Sequence, residues 1–187
     1  EDDLRRLNEE LETRVAVRKK PIIGIISTGT ELVPAEAIPR AGEVREVNSH
    51  LIAVFSQRQG AIPMQYGIIR DNPDELRNTM TRACQECDAV IVSGGSSKDR
   101  NDITARTIQE LGEVMVHGIS IAPGKPTIVG RIQGIPVIGL PGHPASTFMV
   151  LSLVVIHLLQ AMKGAPCQRV FRKRVRMATS IPSEQGR

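Results

Sequence analysis

The sequence predicts an α/β fold: three αβα layers around a mostly parallel, doubly wound sheet with an antiparallel edge. Three observations lead there. Runs at 22–26, 89–92 and 135–138 are apolar at nearly every position, as strands covered by helices on both faces must be. Segments with helical spacing and recognisable start signals alternate with those runs. Glycine loops follow the runs, at the carboxyl ends where such sheets place ligands. The chain has 187 residues, 41 % of them hydrophobic, enough for one ordinary domain with flanking pieces.

Each element has a local reason. Leu4, Leu7 and Leu11, with Val15 continuing the spacing, put apolar groups on one helical face. Residues 1–20 read as a linker helix and a brief strand at 15–17. Pro21 opens the first strand, 22–26, which ends in the loop Ser27-Thr28-Gly29-Thr30-Glu31-Leu32. Asn48 or Ser49 caps a helix to Gln59, with Leu51, Ile52 and Phe55 facing inward and Gly60 closing it. A strand at 62–69 follows. Asp71-Asn72-Pro73 starts the next helix with a capping side chain and Pro at the first position, and it runs to Glu86. After the strand at 89–92, Asn101 or Asp102 starts a helix to Leu111. Short strands at 114–116 and 127–129 form the antiparallel edge, with a hairpin turn region at 130–134. The strand at 135–138 leads into a helix from Ser146 to Met162, and 170–177 is a tail strand. The domain proper spans 21–165, and 166–187 starts a further β unit. The chain does not begin with Met and reads as a piece of a longer protein.

Composition narrows the function. Aromatics are 2 % with no Trp, so stacking platforms for single-stranded nucleic acid are scarce, and no nucleic-acid partner is expected. The net charge of +4 suits an anionic small ligand. Arg169, Arg172, Lys173, Arg174 and Arg176 read as a solvated strand or edge. Three cysteines exclude a disulfide scaffold and fit a reducing cytoplasm. Cys84 and Cys87 lie inside a helix rather than at its N-terminus, which makes them packing residues and not a redox pair. No stretch is expected to span a membrane, since the run at 148–159 is short and holds Ser152 and His157. The acidic N-terminus is no secretory signal. No phosphate-binding lysine loop, G-x-G-x-x-G or Gly-x-Ser-x-Gly turn is present, so the chemistry falls to the glycine loops.

There are three such loops. Ser93-Gly94-Gly95-Ser96-Ser97-Lys98 lets backbone N–H groups turn inward as an anion nest, with serine hydroxyls as further donors. Asp99 and Asp102 are oxygen donors able to hold Mg²⁺ beside a phosphate, and Asp102 equally reads as a plain helix cap. Ala122-Pro123-Gly124-Lys125-Pro126 mounts an ammonium between two prolines, so it is held in place with little ordering cost. Pro141-Gly142-His143-Pro144-Ala145-Ser146 opens onto a helix, where unpaired N–H groups attract anions; Ser146 can cap that helix, and His143 can cap, bind ligand or stay exposed. Together the loops predict one shared pocket for a phosphate- or oxyanion-bearing ligand.

In order, six segments resemble the molybdopterin molybdotransferase family, of the MoeA and gephyrin E-domain type. They are residues 27–32, Asn48-Ser49, 71–73, 88–97 with Asp102, 123–126, and 139–146. The resemblance implies a Mg²⁺-dependent enzyme of molybdenum cofactor biosynthesis. It would bind adenylylated molybdopterin and molybdate, insert molybdenum into the dithiolene and release AMP. Asp102 would be the catalytic and metal-holding carboxylate. Thr28, Gly29, Glu31, Ser93, Gly94, Gly95, Ser96, Ser97, Lys125, Pro141, Gly142, His143 and Ser146 would hold the substrate. The resemblance further implies a cytoplasmic homodimer in contact with the molybdopterin adenylyltransferase. Thr30 stands where the family usually has Asp, His143 where Asn is commoner, and Lys98-Asp99-Arg100-Asn101 replaces small and acidic residues. A non-catalytic module of the same fold, and a competence-damage-inducible nucleotide pyrophosphatase, are the rival readings.

Overall fold

β-Branched residues dominate the apolar runs, and each run becomes a central strand of one six-stranded sheet. The computed structural model describes residues 19–95 and 102–164. In sheet order the strands are β4 (Ile62–Ile69), β1 (Ile22–Thr28), β5 (Ala89–Ser93), β8 (Ile135–Leu140), β7 (Ile128–Ile132) and β6 (Glu113–His117). The first four run parallel; β7 and β6 are antiparallel and form the expected edge. A small parallel ribbon joins β2 (Leu32–Val33) to β3 (Val44–Arg45).

Strand periodicity sorts the core onto two faces. Val90 and Val92 of β5 meet α2 (Pro73–Glu86) and α3 (Ile103–Leu111) through Leu76, Met80 and Ile108. Ala89 and Ile91 meet α1 (Asn48–Arg58) and α4 (Pro144–Met162) through Ile52, Leu151, Val155 and Leu159. Cys84 and Cys87 are buried, in keeping with packing residues. Burial pushes the Cys84 thiol up to about 11, so it stays protonated.

Several expectations change. β1 continues two residues further than the apolar run, because Ser27 and Thr28 still pair with Ser93 and Ile69. Asn48 and Ser49 are not the cap of α1. Val47 holds that position, and the Glu46 carboxylate accepts the Ser49 N–H at 2.8 Å instead. The hairpin turn shrinks from 130–134 to Gln133-Gly134, both at positive φ, as a two-residue β turn demands. α4 begins at Pro144, so Ser146 lies inside the first turn and His143 occupies the cap position with no side-chain cap bond. That earlier start makes α4 19 residues, long and apolar enough by length and composition to cross a membrane, contrary to the sequence expectation. Its inner face, Val150, Leu151, Val155 and Leu159, is fully covered by the sheet side of this domain. The elements expected at 1–17 and 170–177 lie outside the described residues.

Candidate functional site

The chain leaves β1 to one side, pairing with β4, and returns to the other side as β5. The strand order therefore switches between β1 and β5, and a crevice opens above their carboxyl ends. Two glycines line its floor. Gly94 has φ +96°, and a Cβ there would stand 2.0 Å from the Thr28 carbonyl oxygen. Gly95 has φ +64° and is crowded by Thr104 and Ile103. Only glycine fits either place. The Gly94 N–H donates to the Leu140 carbonyl at 3.1 Å, and a Cβ added at Gly142 would lie 3.9 Å from the Gly94 Cα, so the first and third loops approach each other.

The third loop is clamped carbonyl by carbonyl. Thr147 Oγ1 donates to the Pro141 carbonyl at 2.7 Å, Asn48 Nδ2 to that of Gly142 at 2.7 Å, and the Thr147 N–H to that of His143 at 2.9 Å. Peptide planarity then turns the N–H groups of Gly142 and His143 the opposite way, beside the unpaired donors of the first turn of α4. Asn48 Nδ2 also donates to Ser93 Oγ at 2.8 Å. The Gly142 carbonyl fixes the amide orientation, because it accepts only from the NH₂ end. Asn48 Oδ1 is left buried with no hydrogen-bond partner among the described residues. A buried acceptor without a donor is costly, and such atoms mark places where a ligand or water completes the structure.

Two pockets open here. The smaller, about 250 Å³, lies between the β2–β3 ribbon and the clamped loop and is bordered by Glu46, Asn48, Ser93, Gly94, Gly142 and His143. The larger, about 480 Å³, is bordered by Gly29, Asp71, Gly95, Ile103 and Arg106. Thr28 and Glu31 border both. Asp71 is locked in place: its carboxylate accepts from Thr28 Oγ1 at 3.2 Å and Thr30 Oγ1 at 3.0 Å. Thr30 is thus the hydroxyl partner of Asp71, the physical account of a residue that looked anomalous in sequence.

Of the expected substrate residues, Thr28, Gly29, Glu31, Ser93, Gly94, Gly95, Gly142 and His143 come together around these pockets. Pro141 is buried beneath them. Ser96 and Ser97 lie outside the described residues. Lys125 and Ser146 border neither of these two pockets. The earlier start of α4 draws Ser146 into the helix, and Lys125 stands exposed on its loop. That loop is braced: the Ile119 N–H donates to the Lys125 carbonyl at 2.9 Å, and Thr127 Oγ1 to that of Gly124 at 2.6 Å. A Cβ on Gly124 would meet Val150 at 2.9 Å, one helical turn beyond Ser146, so the loop packs on α4. Asp102 also borders neither pocket. Its Oδ1 caps α3 from the Ala105 N–H at 2.8 Å, and its Oδ2 lies 3.0 Å from His117 Nε2. Among the described residues no group of three His, Cys, Asp or Glu side chains is placed to hold a metal.

Sequence reasoning missed Glu46, Asp71 and Arg106 as site residues, and read Asn48 as a cap. Asp71 and Asn48 fall in segments that carried the resemblance, but their types suit helix starts equally well.

Comparison with known proteins follows the same lines. The family described as "Probable molybdopterin binding domain" matches residues 24–161. The crystal structure of a molybdopterin biosynthesis protein from Pyrococcus horikosii is 40 % identical, with a TM-score of 0.71 over 78 % of this chain and 36 % of that one. A molybdopterin molybdenumtransferase of Nostoc sp. is 31 % identical over 155 residues, 81 % of this chain and 36 % of the relative. Molybdenum cofactor biosynthesis protein B, 15 % identical, shares the fold alone; its TM-score is 0.60, and the match covers 96 % of that protein. The chain spans about a third of the length of the curated relatives it matches, 35 %, 36 % and 35 % for three of them.

Proposed function

The chain belongs to the molybdopterin-binding domain family, and on that premise we propose that its cleft takes adenylylated molybdopterin, with molybdate as second substrate, in molybdenum cofactor biosynthesis. One observation carries the reading: two pockets of unlike size meet at Thr28 and Glu31, with the Gly94–Gly95 pair between them. A two-headed molecule joined by a phosphoanhydride suits that shape. Its linker lies at the waist, against backbone N–H groups, with one head in each compartment. The clamped turn at Gly142 and His143 offers its N–H groups to an oxyanion. Lys125, on the loop that packs against α4, and Ser146, in the first turn of that helix, supply a cation and a hydroxyl for molybdate.

Magnesium, when bound, neutralises anhydride charge and polarises the P–O bond to be broken. The donors present suit it. Glu31 and Asp71 border the larger pocket, and Mg²⁺ needs only one or two carboxylates when substrate phosphates and water complete its shell. Asp102 acts from outside the pocket, capping the α3 terminus whose Ile103 and Arg106 border it. A homodimer, a cytoplasmic setting and transfer from the adenylyltransferase belong to the same reading.

Asp102 also favours a second reading, a module that binds without turnover, because both its carboxylate oxygens already have partners. Incubating the full protein with adenylylated molybdopterin, molybdate and Mg²⁺ separates the two. AMP release that falls in Asp102→Asn while binding persists supports catalysis. Tight binding with no AMP released selects the module, and no binding at all removes both.

A further inference from the structure

Arg106 is a cation that the reading above leaves without a task. It projects from α3 to the border of the larger pocket, alongside Thr28, Asp71 and Gly95. Its ion pair is loose. Among the described residues the nearest acid is Glu110, one turn further on, with Nε to Oε1 at 4.0 Å. The other oxygen of Glu110 receives Arg77 Nη2 in a much closer contact. Arg77, ahead of Arg106, is what holds the Glu110 carboxyl below its usual range. Asp71, the acid sharing the pocket, is already satisfied by two threonine hydroxyls. The Arg106 side chain borders the cavity and is 60 % exposed, so most of its fork of donors is open to a ligand.

We propose that Arg106 is a specificity-determining residue that grips a phosphate of the nucleotide half of the ligand in the larger pocket. The proposal rests on the reading of the cleft as a site for an adenylylated molecule. A guanidinium takes two phosphate oxygens at once, which fixes the phosphate's orientation as well as its position. At about 480 Å³ the pocket lies in the range of small-molecule sites and leaves room for the nucleoside beyond the phosphate. Glu31 and Asp71 repel a bare anion, so selection falls on a ligand able to engage Arg106 while Mg²⁺ or a covalent neighbour masks the remaining charge.

Calorimetric titration of the full protein with AMP, and separately with inorganic pyrophosphate, both with Mg²⁺, tests this. Arg106→Ala is expected to weaken both by about tenfold or more, the loss of a charge-assisted hydrogen-bonded contact. Arg106→Lys restores only part, because an ammonium is a point charge. Glu110→Gln leaves both affinities as they were. Circular dichroism checks that each variant is folded, and Arg106→Gln serves as a second removal of the charge that keeps the stem. Wild-type binding matched by both Arg106→Ala and Arg106→Gln overturns this proposal alone. A wild-type protein that binds neither AMP, pyrophosphate nor adenylylated molybdopterin overturns the reading of the cleft as well.

Discussion

Replacing Gly94 with alanine tests the claim that the crevice floor is built by a backbone approach no side chain tolerates. The added Cβ meets two costs. At φ +96° an L-residue is strained by about 1–2 kcal/mol. The Cβ would also stand 2.0 Å from the Thr28 carbonyl oxygen, where real Cβ atoms keep beyond 3.0 Å. Thr28 cannot retreat freely, since it pairs with Ile69 on one side and its neighbour Ser27 pairs with Ser93 on the other. Relieving such overpacking adds about 1–3 kcal/mol. A loss of about 3 kcal/mol lowers the melting temperature by about 6–12 °C in a chain of this size. Gly134 is the internal control: it has φ +87°, but nothing lies within 4 Å of its Cβ position. Gly134→Ala therefore bears only the backbone cost of about 1–2 kcal/mol. Thermal unfolding followed by circular dichroism compares the two. Equal losses in both variants would refute the steric account of the floor.

Three further outcomes are expected. Gln133 sits at φ +50° in the two-residue turn, so Gln133→Asn should raise stability by about 0.5–1 kcal/mol in urea unfolding, since Asn tolerates that conformation better. Asn48→Ala cuts the tie between Ser93 and the Gly142 carbonyl and leaves that carbonyl unmet; a loss of about 1–3 kcal/mol is expected, with weaker ligand binding measured beside it. The Cys84 thiol, raised from its ordinary value near 9 to about 11, contributes stability that is complete below pH 9 and is lost as pH rises towards 11, because the unfolded chain then gives up a proton the folded chain keeps. Thiolate absorbance should show Cys84 half-titrated near pH 11 when folded, and a midpoint near 9 in the folded protein would contradict it.

The central strands and their order of succession were legible because burial on both faces leaves an unbroken apolar run, and the family resemblance rests on the loops between them. Asn72 was legible as a cap, and its Oδ1 does accept from the Asp74 and Glu75 N–H groups. Asn48 was not, although it is the same residue type before the same kind of helix. A short amide can cap a helix or bridge two loops, and only the long-range approach of Ser93 and Gly142 decides which. The start of α4 was misread for a different reason: Pro144 at the first helical position outweighs Ser146 as a start signal. The β2–β3 ribbon, two residues per strand, is too short to leave a periodic trace. Arg106 escaped notice because a basic residue on a helix surface carries no local mark of the cavity it faces.

The charge inventory of the cleft shows why glycine rather than lysine builds it. Glu31, Glu46 and Asp71 border the two pockets, against Arg45, Arg106 and the imidazole of His143. Among the described residues, net side-chain charge there does not favour an anion, and the chain's excess of +4 includes five basic residues between 169 and 176, outside the described residues. In the proposed reading, fixed backbone dipoles, which carry no counter-charge and need no ordering on binding, add to what Arg106 and Lys125 supply. Dipoles of that kind act only at contact distance, and contact requires that no Cβ intervene. Gly94, Gly95 and Gly142 meet that requirement at the edge where four parallel strands end together, which ties the proposed recognition of the ligand to the direction in which β1, β4, β5 and β8 run.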